Sequence, residues 1–198
     1  MFSFFDKNKT KCFKKSINFK SVSCQKEMAS HLSEYAYHIK PNWNEVVIMC
    51  IGTDRSTGDS LGPIIGSKLA HLNTKSNVYI LGNLSNPVHA SNLATNIEEV
   101  NILSNPLVIA IDASLGNSDN VGKINFGIGS LKPGAGVKKD LPEVGDIYIT
   151  GVVNVGGFME YFVLQNTRLS LVMDMADVIA KSLEEFILSI SSDTAKKA

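Results

Sequence analysis

A short apolar run passes directly into a glycine-punctuated polar loop and then into helical spacing, and this stretch constrains the chain more than any other. Val46-Val47-Ile48-Met49-Cys50-Ile51 is continuously apolar and rich in β-branched residues. That composition suits a strand buried on both faces, as in a parallel sheet. The polar segment Gly52-Thr53-Asp54-Arg55-Ser56-Thr57-Gly58-Asp59-Ser60 cannot extend such a strand. Apolar residues then recur at Leu61, Ile64, Ile65 and Leu69, with Pro63 in a position that a first helical turn tolerates. Strand, long loop and helix in this order place the loop at the carboxyl edge of an open α/β sheet, where ligands bind.

Further units follow. Val78 to Leu81 reads as a second strand, Gly82 to His89 as a loop and Ala90 to Glu99 as a helix. Leu107 to Asp112 is a third buried strand ending in an acid, and Asp146 to Val153 a further one. The six glycines between Gly116 and Gly136, with alternation over Lys123 to Phe126, suggest hairpin or irregular structure. Lys26 to Ile39 has a helical face of Met28, Leu32, Tyr35, Ala36 and Ile39. A last long helix carries Leu169, Val172, Met173, Ala176, Ala180, Leu183, Ile187 and Ile190 on one stripe. Alternating strands and helices predict a three-layer α/β fold with a twisted, mostly parallel central sheet. The expected organisation is a basic, flexible tail over residues 1–25, one domain over 26–190 and a frayed end over 191–198.

Composition removes several function classes. No apolar run approaches the length of a membrane span. The formal charge of zero argues against whole-protein affinity for nucleic acid, although the Lys-rich start reads either as a surface-binding arm or as a loose terminus. Cys12, Cys24 and Cys50 lack C-x-x-C spacing, a reduced, intracellular pattern. The first loop carries no Gly-Lys-Ser/Thr, so it is not a P-loop, and no serine sits in a G-x-S-x-G elbow.

The acids of the two loops remain. If the second and third strands flank the first, a switch-point crevice opens between strands one and three. Asp59 and Asp112 can converge there from distant parts of the chain. Two such carboxyls in a partly dry cleft share a proton, and can activate water or hold a divalent metal. The competing readings are a helix N-cap for Asp59 and a turn cap for Asp112. Arg55 can orient substrate or be a solvated loop residue. His89 can serve as a ligand, a general acid or neither, and Phe158 to Phe162 reads as core packing with Glu160 as a further acid.

Five segments carry a resemblance to a known family. They are Gly52 to Pro63, Asn86 to Ala90, Ile109 to Ala113, Lys132 to Val137 and Gly151 to Tyr161. Together they resemble the YyaC sporulation proteins, relatives of the spore germination protease and, more distantly, of the hydrogenase maturation endopeptidases. The resemblance implies a phosphorylase/hydrolase-like, germination protease-like fold and a peptidase. Its catalytic acids match Asp59 in Asp-Ser-Leu-Gly-Pro and Asp112 in Ile-Asp-Ala. Arg55, His89 and Asn154 are then the expected substrate contacts. The hydrogenase maturation enzymes bind a metal through two acids and a histidine after a later strand. Thr150 to Gly157 has no histidine, so no metal or other cofactor is expected unless His89 substitutes. The implied setting is the cytoplasm of a sporulating cell or forespore, with a peptide or protein substrate such as small spore proteins. Self-association is left open. A metal-assisted endopeptidase and a non-catalytic spore protein on the same fold are the alternatives.

Overall fold

A computed structural model describes residues 13–74, 77–134 and 141–195. In chain order the elements are β1 (Lys14–Asn18), α1 (Cys24–Ile39), β2 (Val46–Cys50), α2 (Leu61–Leu69), β3 (Val78–Leu81), α3 (Leu93–Asn101), β4 (Leu107–Gly116), β5 (Lys123–Ile128), β6 (Ile147–Val155), α4 (Glu160–Gln165) and α5 (Leu169–Ala195). A 3₁₀ turn, Gly58–Ser60, leads into α2.

The six strands form one sheet in the order β1-β5-β6-β4-β2-β3. Strands β3, β2, β4 and β6 run parallel, while β5 is antiparallel to β6 and to β1. The expected α/β layering with a mostly parallel sheet is therefore what forms. Every residue of β2 is buried, and its side chains alternate between two cores. Val46, Ile48 and Cys50 point toward the face covered by α1, α2 and α5. Val47 and Met49 point toward α3 and the segment around Leu131 and Val144. A strand covered on both sides has no use for polar alternation, which is why its sequence is an unbroken apolar run.

The chain start departs from expectation. Residues 14–18 form the edge strand β1, paired from Lys14 opposite Gly127 to Asn18 opposite Lys123. The flexible tail expected over 1–25 is thus corrected for its second half, and its first twelve residues lie outside the described ones. Lysines suit an edge strand, where charge discourages further pairing, so a basic composition did not distinguish strand from tail. At the other end α5 continues to Ala195, past the frayed end expected from Ser191.

Three boundaries also move. Helix α3 starts at Leu93 rather than Ala90, because Asn92 turns its side chain back on the preceding loop, accepting from His89 N at 2.8 Å and donating to Pro87 O at 3.0 Å. Strand β4 does not stop at Asp112 but runs on to Gly116 beside β6. On α5 the buried stripe includes Met175, Ile179 and Phe186, whereas Leu169 and Met173 face outward. The last shift follows from the 3.6-residue period, which favours 172, 175, 176, 179, 183, 186 and 190 over 169 and 173.

Helix α2 lies close against the strand that precedes it. Gly52 has φ +139°, a conformation open to glycine, and a Cβ there would stand 2.0 Å from Asp59 O. A Cβ on Gly62 would stand 2.1 Å from Ile51 O. Both neighbours are backbone and cannot rotate away. Gly62→Ala is therefore expected to cost roughly 2–4 kcal/mol, read as a lowered midpoint in urea unfolding at pH 7. An unchanged midpoint would mean that the helix can step back from β2.

Candidate functional site

The strand order β3-β2-β4 sets the switch point between β2 and β4, with their carboxyl ends side by side. The chain leaves β2 at Ile51, whose N–H still donates to Ile111 O at 2.8 Å, and Gly52 N–H donates to Val88 O at 2.8 Å. The loop then folds back, Thr53 N–H reaching Asp59 O at 3.2 Å. This closes a compact ring over the sheet edge and sets Asp59 just before α2. The capping positions belong to Thr57 and Ser60, and neither side chain makes a capping bond. Asp59 is thus not the N-cap.

Asp112 lies within β4, opposite Thr150 of β6, and is only 8% exposed. Its Oδ1 accepts the Ala113 N–H at 2.8 Å, and the backbone N–H of Gly134 also donates to the carboxyl. Asp59 and Asp112 line one cavity of about 590 Å³, with Lys14, Lys132, Tyr148 and Glu160 among its other walls. Burial first, and then the charge of Asp59, push the Asp112 carboxyl well above the usual carboxylate range, outweighing the two backbone donors. An acid that holds its proton more tightly than an ordinary carboxyl, beside a second acid, can give that proton to a reacting group.

Asp59 also lines a second, smaller cavity of about 330 Å³, with Thr53, Arg55, Ser56, His89 and Tyr161. Arg55 and His89 are therefore brought to Asp59 but not to Asp112. His89 is held at the loop by the Val88 bridge to Ile51 and by Ser91, whose Oγ lies 2.9 Å from Nδ1. Asn154 is placed otherwise. Its Nδ2 donates to Val163 O at 3.4 Å and Thr167 Oγ1 at 3.3 Å, and its Oδ1 accepts from Val155 N, so it ties the end of β6 to α4 and the turn after it. It lines neither cavity.

The segment after β6 is the largest surprise at the site. Phe158, Tyr161 and Phe162 were expected in the core, yet they are 81%, 66% and 56% exposed. Strand β6 ends at Val155, and Met159 then adopts left-handed backbone (φ 49°), which throws the six-residue α4 beyond the sheet edge with Leu164 as its buried anchor. Glu160 does face the larger cavity, its Oε1 accepting the Gly157 N–H at 3.0 Å. Sequence reasoning missed Lys14 because its segment read as a tail, and it gave Tyr148 no role beyond its place in a strand. Lys132-Pro133-Gly134 did stand out as a motif, and the Gly134 N–H is its structural use.

Among the described residues no three His, Cys, Asp or Glu side chains are grouped closely enough to hold a metal ion. His89 and Asp112 line different cavities, which share Asp59.

The chain belongs to the family described as a protein of unknown function, DUF1256, whose profile matches residues 16–182. It is 61% identical over 140 residues to the uncharacterized protein YyaC of Bacillus subtilis strain 168, covering 70% of this chain and 67% of that one. Among solved structures it is similar to the NiFe hydrogenase maturation protease HycI of Thermococcus kodakarensis, with a TM-score of 0.45 and 17% identity over 77% of this chain and 98% of that one.

A raised carboxyl has a stability signature. The folded chain holds the Asp112 proton more tightly than the unfolded chain, whose carboxyls titrate near about 4. The stability linked to this group is whole below that value and is lost as pH rises toward the folded-state value. Asp112→Asn keeps an oxygen for the two N–H donors and removes the charge. It is expected to melt a few degrees above wild type at pH 8, with the gain shrinking toward pH 4, as followed by circular dichroism. A variant that melts lower at pH 8 would show that the fold stabilises the charged carboxylate.

Proposed function

We propose that the chain is a peptidase of the germination protease kind, hydrolysing peptide bonds of a protein substrate in sporulating cells through the pair Asp59 and Asp112. One observation supports the reading: a buried carboxyl, raised above the usual carboxylate range, shares a cavity at the switch point of an α/β sheet with a second and more accessible carboxyl whose charge it feels. Asp59 takes a proton from water as the water oxygen bonds to the scissile carbonyl carbon. When the tetrahedral centre collapses and the C–N bond breaks, the amine leaves with the proton from Asp112. Proton exchange with solvent then restores the pair.

Two features favour a polypeptide over a small metabolite. The cavity of about 590 Å³ is large enough for several side chains, and the exposed ring of Tyr161 lines the adjoining cavity that shares Asp59. Aromatic surface beside a polar cleft suits apolar residues of an extended chain. In this reading the residues perform each step themselves.

Proteins extracted from sporulating cells, incubated with wild type, Asp59→Asn and Asp112→Asn, test the reading by mass spectrometry. Each substitution is expected to lower cleavage by about 10²-fold or more in chains that remain folded, and a chelator is expected to change nothing. The wild-type rate is expected to fall as pH rises through the Asp112 titration, since the proton donor is then lost. Folded wild type that cuts nothing would sink the peptidase reading, and loss on chelation would sink its metal-free form.

A further inference from the structure

We propose that the apolar face carried by α4 and the turns on either side of it is the contact through which two copies of this chain associate about a two-fold axis. The proposal does not depend on what the cleft does.

The backbone itself exposes this face. Strand β6 ends at Val155, and left-handed Met159 (φ 49°) swings the chain outward before α4. A methionine takes up that conformation at a cost, and such costs persist where a structure serves a purpose. Its result here is to place apolar side chains in water. Within α4, Glu160 and Leu164 are four residues apart and turn toward the cleft, and Leu164 is the buried anchor. Tyr161 and Phe162 are left on the outer side, with Phe158 and Met159 just before them and Leu169 following at the start of α5. Met159 and Leu169 are 58% and 57% exposed, beside the three rings already described.

The area is that of an interface. With about 150–250 Å² for a whole aromatic side chain, the three rings leave roughly 400 Å² in water, and Met159 and Leu169 extend the face. A standard interface takes about 800 Å² from each partner, about 500 Å² of it apolar. The face is therefore as large as a stable dimer needs, and it reaches the upper end of what monomers expose, roughly 600 Å².

Two observations select a second copy as the occupant. Phe158, Met159, Phe162 and Leu169 line neither cavity at Asp59, so a ligand seated there leaves them exposed. Between Val155 and Gln165 the sole charged residue is Glu160, whose carboxyl accepts the Gly157 N–H. The outer face thus offers no charge for a basic or acidic partner to read. With a formal net charge of zero, two copies also meet without net repulsion. A two-fold axis beside α4 sets aromatic side chains against their own counterparts, so the face is its own complement. Tyr161 belongs both to this face and to the wall of the smaller cavity, so the second copy stands at the rim of that cavity.

Sedimentation velocity of the full chain from about 1 to about 100 µM tests the contact. The variants are Phe158→Ser, Phe162→Glu and, as a control at the end of α3, Ile102→Ser, whose side chain is also exposed. Wild type is expected to sediment as a dimer in the upper part of this range. Phe162→Glu brings two carboxylates together across the axis and is expected to weaken the dimer at least about thirtyfold, and Phe158→Ser about tenfold. Ile102→Ser is expected to change nothing, and all three to keep the wild-type circular dichroism. Hydrogen exchange of wild type gives a reading free of any variant: amides of residues 158–165 are expected to gain protection as concentration rises. Wild type that stays monomeric throughout overturns the proposal, as does a dimer that both substitutions leave intact or that protects a different surface. A monomer whose 158–165 amides are protected only on adding a cell extract would assign the face to another protein, and overturns it equally.

Discussion

The close seating of helix α2 on the end of strand β2 is the contact on which the site depends. No side chain separates the two backbones at Gly52 and Gly62, where added Cβ atoms would stand 2.0 and 2.1 Å from carbonyl oxygens. The polar loop therefore has to close in a tight ring, and that ring delivers Asp59 to the sheet edge. Side chains of ordinary size at these points would lift the helix and carry Asp59 away from β4. The loop residues are polar because they leave the sheet, but their position is set by an absence of side chains beneath them.

Against this rigid ring stands an acid in an unfavourable place. Asp112 is buried next to a second carboxyl, a combination that weakens a fold at neutral pH. Two backbone N–H groups, from Ala113 and Gly134, soften the penalty without cancelling it. The surrounding hydrophobic layers absorb the rest, since β2 and β4 are sealed on both faces. Stability supplied by the apolar sheet interior is thus set against reactivity at its edge, a balance common where sites need perturbed groups.

The sheet interior was readable because periodicity reports burial directly. An unbroken apolar run can only be a strand covered twice, and β2 and β4 follow that rule. That β3 and β4 flank β2 is only a condition in the sequence; with the order the sheet takes, Asp59 and Asp112 come to neighbouring strand ends. Other parts carried no such signal. The lysines of β1 look alike in an edge strand and a loose tail, and partners more than a hundred positions away decide between them. Phe158 and Phe162 look like core residues because composition cannot show that β6 has already ended. Asn154 read as a ligand contact for want of any sign that α4 would claim its amide.

The order of strands across the sheet differs from their order along the chain, and this bears on how the protein comes into being during synthesis. Strand β6 is made after β4 and β5 yet lies between them. Until it arrives, β5 and its partner β1 have no attachment to the parallel strands, and Lys14 has no cavity wall to join. An emerging chain can fold the β2-α2-β3 unit early from neighbouring contacts, with Asp59 in place, while the opposite bank of the cleft waits for residues 147–155. The cleft is consequently among the last features to be assembled. A ribosome-bound or truncated chain would carry both acids without a formed cleft around them, so any reactivity would be deferred until nearly the whole polypeptide had been made.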